Sequence, residues 1–216
     1  MDFNLENMIL RIPAILLALT VHEYAHGWVA YRLGDRTAYD AGRLSMNPIV
    51  HLDIFGTLML LFGPFGWAKP VPVDPRYFQN PKRGVLLVSA AGPLSNIVLA
   101  LLFGYSLRVI GAALPLQNMH PDITRFLMLS ILINTGISFF NLLPVPPLDG
   151  SKILLGMLPN RLIPGYIEKS RYLPTIFIVL LVLEWGLHIP IFSRLIYPFF
   201  TPYYNLIHFL IFWRIS

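Results

Sequence analysis

Long apolar blocks separated by short polar stretches dominate this chain. Five blocks are close to the ~20 residues that a helix needs to cross a hydrocarbon core of ~30 Å. These blocks span residues 8–33, 85–114, 123–147, 172–190 and 194–213. The pattern therefore predicts an all-α, polytopic membrane protein with five transmembrane helices, or six if one shorter block also crosses.

Two segments between the first two blocks have a different character. Residues 54–66 are apolar but short, with three glycines and one proline, which favours a re-entrant segment over a full span. Residues 37–53 are mixed in polarity and are interrupted by Gly42, Asn47 and Pro48. This second pattern predicts a short, membrane-associated β-hairpin.

Composition agrees with a chain that is surrounded by lipid. Hydrophobic residues make up 56% of it and charged residues only 12%, whereas a soluble domain has about 25% charged residues. We find no repeat and no soluble appendage, so residues 1–216 are expected to form one membrane-embedded domain. The net charge of +5 is too scattered for a nucleic-acid-binding surface. The absence of cysteine excludes thiol catalysis and thiolate metal ligands.

Basic residues concentrate in two of the predicted loops, one between the first and second spans and one after the third. Arg and Lys near the ends of spans are retained on the cytoplasmic side. The residues concerned are Arg32, Arg36, Arg43, Lys69, Arg76, Lys82, Arg83, Lys152, Arg161, Lys169 and Arg171. We therefore expect a multi-pass integral protein of the cell membrane, with its N-terminus outside and these two loops in the cytoplasm.

The first predicted span contains the sequence His22-Glu23-x-x-His26. Residues four apart share one face of a helix, so both imidazoles can bind a single metal ion, and zinc suits such a pair. Glu23 is rotated by about 100° from His22, which leaves it able to contact a water on the ion as a general base. Chance is a poor explanation, because ionisable groups inside an apolar span are costly. The motif predicts one Zn²⁺ per chain.

A hydrolytic zinc site needs a third protein ligand and one open position for water. Asp149 is the best candidate, because it follows Pro144, Pro146 and Pro147 at the end of the third predicted span. These prolines break the helix, and irregular backbone at membrane depth lines a cavity. Gly150 would allow a sharp turn that points the carboxylate inward. The residues alone equally allow a solvated aspartate at a helix end.

Together these residues resemble the site-2 protease family of intramembrane zinc metalloproteases, in a short form without PDZ or CBS domains. The likeness rests on the HExxH motif, on the proline-rich motif that runs from Asn141 to Gly150, and on Gly92-Pro93-x-x-Asn96 between them. It covers roughly residues 15 to 158. The paired motifs are more specific than either motif alone.

The resemblance implies a reaction and a role for each residue. The expected activity is hydrolysis of peptide bonds in or near transmembrane segments of membrane proteins, with the active site toward the cytoplasm. The implied zinc ligands are His22, His26 and Asp149. Glu23 is then the catalytic base, while Asn141 and Asn96 would steady the substrate or its transition state. The expected partners are membrane-protein substrates and the lipid bilayer, with no nucleic acid.

A transporter or ion channel is the alternative function. Such proteins also use intramembrane His, Glu and Asp side chains beside broken helices to bind ions. Against this reading, the chain has no visible inverted repeat, and a glutamate between two histidines is better explained by hydrolysis. Glu184 and His188 form a second pair with the same spacing, for which an interfacial polar cluster is the favoured interpretation.

Overall fold

A computed structural model describes residues 5–56, 59, 67–113 and 120–213. Helices dominate these ranges, and no strand occurs in them. The helices bounded there are α1 (Leu5–Arg32), α2 (Thr37–Asp40), α3 (Pro81–Ala113), α4 (Pro121–Leu142), α5 (Asp149–Met157), α6 (Ile163–Ser170), α7 (Leu173–Gly186) and α8 (Ile191–Phe212). The prediction of an all-α membrane protein is confirmed at this level.

Four of the described helices are long and apolar enough to cross a bilayer: α1, α3, α4 and α8. They coincide with four of the five predicted spans. At the remaining one, residues 172–190, α7 has 14 residues and is about 21 Å long, which is less than the hydrocarbon thickness. The chain turns after Gly186, and His188 adopts a φ of +56°. By length, the described ranges support four spans rather than five or six.

Residues 37–53 do not form the predicted β-hairpin. They begin with the single turn of α2 and end in a 3₁₀ turn at Pro48–His51. The Asn47 side chain accepts a hydrogen bond from the Ile49 N–H at 3.1 Å, which caps this turn, and Pro48 has no N–H to give to a strand ladder. The breakers that suggested a hairpin turn therefore start a helical turn instead.

A non-helical segment, residues 67–74, lies along α1 and runs toward its C-terminal end. It joins the preceding loop through one isolated antiparallel bridge between Leu52 and Ala68. The N–H of Asp74 donates to the buried carboxylate of Asp35 at 2.7 Å, which ties the far end of the segment to the chain just beyond α1. The predicted re-entrant segment, residues 54–66, lies largely outside the described residues.

The central helix of the bundle is α3, which packs against α1, α4, α5 and α8. One apolar cluster joins α3, α4 and α8, and Gly104 of α3 leaves no room for a Cβ beside Ile211 of α8. Polar side chains point inward: Asn96 of α3 and Asn134 of α4 are both 0% exposed, while Val109 is 66% exposed. This inside-out distribution is the one that a lipid environment requires.

Candidate metal centre

The structure brings His22, His26 and Asp149 together. His22 and His26 lie one turn apart on α1, and Asp149 is the first residue of α5. The two Nε2 atoms are 3.0 Å apart, and Oδ2 of Asp149 lies 3.2 Å from Nε2 of His22 and 3.1 Å from Nε2 of His26. All three side chains are buried. Three potential ligand atoms thus form a nearly equilateral triangle.

The outer nitrogen of each imidazole contacts an acceptor. Nδ1 of His22 lies 2.6 Å from Oδ1 of Asn96, and Nδ1 of His26 lies 2.6 Å from the carbonyl oxygen of Val88. Neither oxygen can donate, so each Nδ1 must carry the proton. Each Nε2 of a neutral imidazole then presents a lone pair to the triangle, as a metal ligand must.

The orientation of the Asn96 amide is itself determined by two acceptors. Its Nδ2 donates to the carbonyl oxygen of Ala18 at 3.0 Å and to Oδ1 of Asn134 at 2.9 Å. Asn134 in turn donates to the carbonyl oxygen of Ser130 at 2.8 Å. This chain of hydrogen bonds leaves Oδ1 of Asn96 as the atom that faces His22, and so it fixes the tautomer of that imidazole.

The donor set fits zinc. Two lone-pair nitrogens and a carboxylate oxygen repel one another unless a cation lies among them. Tetrahedral zinc, with bonds of about 2.0–2.1 Å, places its ligand atoms about 3.3 Å apart, close to the observed 3.0–3.2 Å. A Cβ on Gly92 of α3 would lie only 2.6 Å from Nε2 of His22 and would also collide with His26. Three protein ligands leave the fourth position of a hydrolytic site open.

The start of α5 positions the third ligand. Asp149 is the first residue of this helix, and it is buried. Gly150 is not among the described residues with positive φ, so the expected sharp turn is absent. A Cβ there would instead strike the carbonyl oxygens of Leu142 and Leu143. Gly150 lets α5 approach the end of α4 closely.

Glu23 is buried beside the triangle without belonging to it. Its Oε2 accepts a hydrogen bond from the N–H of Val71 at 2.9 Å. Oε1 has no hydrogen-bond partner among the described residues. The 67–74 segment therefore holds one oxygen of this carboxylate and leaves the other available.

The two predicted substrate-contacting asparagines occupy different environments. Asn96 is fully buried, with its amide engaged by His22, Ala18 and Asn134. Asn141 is half-buried in the last turn of α4, where its Nδ2 donates to the carbonyl oxygen of Ile137 at 3.0 Å. No hydrogen bond joins Asn141 to the three ligand residues in the described part of the chain. Their contact with substrate stays a prediction.

Glu184 and His188 do not form a second metal cluster among the described residues. Oε2 of Glu184 accepts from the N–H of Ser193 at 3.2 Å, which caps the start of α8. The carboxylate therefore satisfies a backbone group that the first turn of a helix leaves without a partner.

Sequence reasoning missed two groups at the site, the N–H of Val71 and the carbonyl of Val88. Both residues act through the backbone, so their side chains carry no signal of the role. The only hint was the Pro-Val-Pro sequence around Val71, which favours an extended chain.

The comparisons with known proteins agree with this site. The sequence profile of Peptidase family M50 matches residues 108–183, which include Asp149 but not α1. A protein named "Putative zinc metalloprotease YwhC" from Bacillus subtilis (strain 168) is 39% identical over 181 residues, which is 82% of each chain. No solved structure matches.

Two further relatives are longer than this chain. "Putative zinc metalloprotease Rip2" of Mycolicibacterium smegmatis is 31% identical over 66% of this chain and 54% of its own length. "Zinc metalloprotease MJ0392" of Methanocaldococcus jannaschii is 24% identical over 80% of this chain and 41% of its own length. The match to the Bacillus subtilis relative covers most of both chains, and the triangle provides the residues of a metal site. The chain therefore belongs to Peptidase family M50, the site-2 protease family that its motifs resemble.

Proposed function

We propose that this chain is a zinc-dependent intramembrane endopeptidase that hydrolyses peptide bonds in or near transmembrane segments of membrane proteins. The observation that carries the proposal is the buried triangle of His22, His26 and Asp149. Its two histidines and the neighbouring Glu23 lie in α1, which is long enough to cross a bilayer. Membership of Peptidase family M50 makes it a metalloprotease, and its relatives are named zinc metalloproteases.

The metal ligands are His22, His26 and Asp149, with one Zn²⁺ per chain. Zinc bound there acidifies a water and polarises the scissile carbonyl. Asn96 and the carbonyl of Val88 hold the two imidazoles in the tautomer that binds metal. We therefore favour a positioning role for Asn96, because its amide has no donor left for a substrate.

Glu23 is the general base and then the general acid. Its Oε1 takes a proton from the attacking water and delivers it to the nitrogen of the leaving amine. The hydroxyl joins the carbonyl carbon, and the C–N bond breaks. The N–H of Val71 holds Oε2 at 2.9 Å, and this charge-assisted hydrogen bond orients the carboxylate throughout. Asn141, at the start of the broken segment before Asp149, is the proposed contact for the substrate.

The proposed location of the active site is the cytoplasmic side of the cell membrane. His22 lies ten residues before the last residue of α1, Arg32, so it is about 15 Å from that end of the helix. The same end carries the basic residues that are retained in the cytoplasm. The site then lies below the headgroups and receives water and substrate from that side.

A Glu23→Gln variant tests this function. Purified wild type and variant are compared for zinc content by mass spectrometry and for cleavage of a single-span model substrate. We expect one zinc per chain in both proteins and a loss of cleavage of about 10²–10⁴-fold in the variant.

The matched control is Glu184→Gln, since Glu184 lies outside the site and its Oε2, like that of Glu23, accepts a hydrogen bond from a backbone N–H. It should keep both zinc and activity. Cleavage that survives Glu23→Gln would contradict the mechanism. Zinc bound by a wild-type protein that cleaves nothing would favour the transporter alternative.

A further inference from the structure

An apolar pocket lies between α5 and α6, and none of the three metal-centre residues lines it. Its volume is about 340 Å³. The residues that form it, apart from Gly165, are Leu154, Leu158, Arg161, Leu162, Tyr166 and Lys169. Its walls are apolar, and two basic side chains border them. This combination differs from the metal centre, which is small, polar and buried.

The two basic residues of this pocket are exposed and unpaired. Arg161 and Lys169 have no hydrogen bond or ion pair within the described ranges, and no acidic residue lines the pocket. A neighbouring cation differs in this respect, because Lys82 donates to Oδ1 of Asn160. The pocket therefore presents two positive charges that have no partner in the described chain.

The pocket lies at the depth of the lipid headgroups. Nζ of Lys82 contacts the carbonyl oxygen of Leu158, so the pocket is level with the start of α3. That helix has 33 residues and is about 50 Å long, so about 20 Å of it extends beyond the ~30 Å hydrocarbon core. The charges of Lys82 and Arg83 favour the headgroup region for its first turn. Met157 and Ile167, on the two helices that form the pocket, are 70% and 55% exposed, as lipid contact allows.

We propose that this pocket binds one anionic phospholipid, with the phosphate between Arg161 and Lys169 and an acyl chain along Leu154 and Leu158. The two unpaired cations select a negative headgroup, because each basic residue near a membrane surface strengthens binding about five-fold. The apolar wall selects a lipid over free phosphate, since phosphate would leave that wall in contact with water.

Binding to the purified full-length protein in detergent is measured by native mass spectrometry, with dioleoyl phosphatidylglycerol and dioleoyl phosphatidylcholine as the two probes. We expect the wild type to prefer phosphatidylglycerol. Arg161→Gln or Lys169→Gln should reduce that preference about five-fold each, and the double variant about 25-fold. The charge-matched control is Arg83→Gln, on the first turn of α3 outside the pocket, which should bind as the wild type does.

A second variant tests the acyl-chain part. A Cβ on Gly165 meets nothing within 4 Å, and Gly165 lines the pocket, so Gly165→Phe is designed to occupy the pocket while it keeps both charges. We expect it to lose phosphatidylglycerol binding, and we expect millimolar inorganic phosphate not to displace the lipid from the wild type. Equal binding of the two lipids, retention by the double variant or by Gly165→Phe, or displacement by phosphate would each overturn the proposal.

Discussion

The state of the two imidazoles is the feature that decides the chemistry at the residue scale. Asn96 and the carbonyl of Val88 each accept a hydrogen bond from an Nδ1–H, so in the neutral imidazoles the Nε2 atoms that face the triangle are unprotonated. Partners of this kind orient a ligand and raise its basicity. The asparagine is as much a part of the metal centre as the histidines, although it lies one contact further from the ion.

Asn96→Ala should weaken zinc binding about 10–100-fold, as loss of such a partner typically does. His22 would then lose the acceptor that fixes its tautomer. Zinc affinity is measured by competition with a chromophoric chelator. Asn141→Ala is the matched control, because Asn141 makes no hydrogen bond to a ligand residue in the described chain; it should keep zinc affinity and reduce cleavage. Equal zinc affinity in Asn96→Ala and wild type would refute the positioning role.

Gly92→Ala should abolish zinc binding, because the new Cβ would occupy the space next to both Nε2 atoms. Zinc content per chain and thermal unfolding are the measurements. Gly136→Ala on α4 is the control, since a Cβ there meets nothing within 4 Å, and it should retain zinc and gain up to about 1 kcal/mol from helix propensity. A zinc-loaded Gly92→Ala would argue against the observed approach of α3 to α1.

How far the sequence predicts the site depends on which atoms act. His22, Glu23 and His26 could be predicted from the sequence, because helical spacing alone puts them on neighbouring faces of one helix. Asp149 is readable only as a candidate, because its approach to α1 depends on how α5 packs. The contribution of Val71 could not be predicted, since a backbone N–H belongs to every residue except proline.

At the scale of elements, the 67–74 segment is the unusual part of the structure. It is non-helical, and its polar contacts with its surroundings include Val71 to Glu23, Asp74 to Asp35, and the Arg43 guanidinium to the carbonyl oxygen of Lys69 at 2.6 Å. Backbone that is not helical at membrane depth is tolerated where it is buried in protein. The segment therefore carries a backbone donor to the carboxylate of Glu23, the proposed general base.

Val71→Pro should lower kcat while zinc content stays at one per chain. The substitution removes the N–H that holds Oε2 of Glu23, and the flanking Pro70 and Pro72 show that the local chain already suits proline-like extension. A charge-assisted hydrogen bond contributes about 1.5–3 kcal/mol, and only part of that is specific to the transition state. We therefore expect kcat to fall about ten-fold. Cleavage kinetics of the model substrate provide the measurement.

Val71→Ala is the control for this element, because it keeps the N–H and removes only part of a buried apolar side chain. It should cleave at a rate near that of the wild type. If both variants lost activity equally, packing of the segment would be responsible, and the hydrogen bond to Glu23 would not matter.

Element lengths were predicted less well than element types, and α7 shows why. Hydropathy identifies residues 172–190 as apolar but does not report where backbone hydrogen bonding ends. The turn at His188 and the cap that Glu184 provides to α8 shorten the helix to 14 residues. Residues 37–53 failed for a related reason, because Gly, Asn and Pro break strands and start helical turns with equal ease.

At the scale of the whole molecule, the metal centre connects parts of the chain that are far apart in sequence. His22 and Asp149 are separated by 127 positions, and the helices that carry them, α1 and α5, both pack on α3. An ion held by both helices binds the folded chain and not the unfolded one, so it adds to the free energy of unfolding. An ion bound at the buried triangle would therefore stabilise the folded chain as well as take part in the proposed catalysis.

Removal of zinc should therefore lower the Tm of the wild type. At a free zinc concentration of 100 times Kd, binding contributes about 2.7 kcal/mol, which corresponds to a fall of roughly 5–10 °C on chelation for a chain of this size. Glu23→Gln should show the same fall, because it keeps all three ligands. Asp149→Asn should start at the lower Tm and not respond to chelator. Asp74→Asn changes a half-buried aspartate that is paired with Arg76, and it should respond as the wild type does. The proposal requires the two proteins to differ, because Asp149 is the ligand that joins α5 to the ion held by α1. If chelation lowered the Tm of the wild type and of Asp149→Asn equally, the stabilising ion would be bound elsewhere.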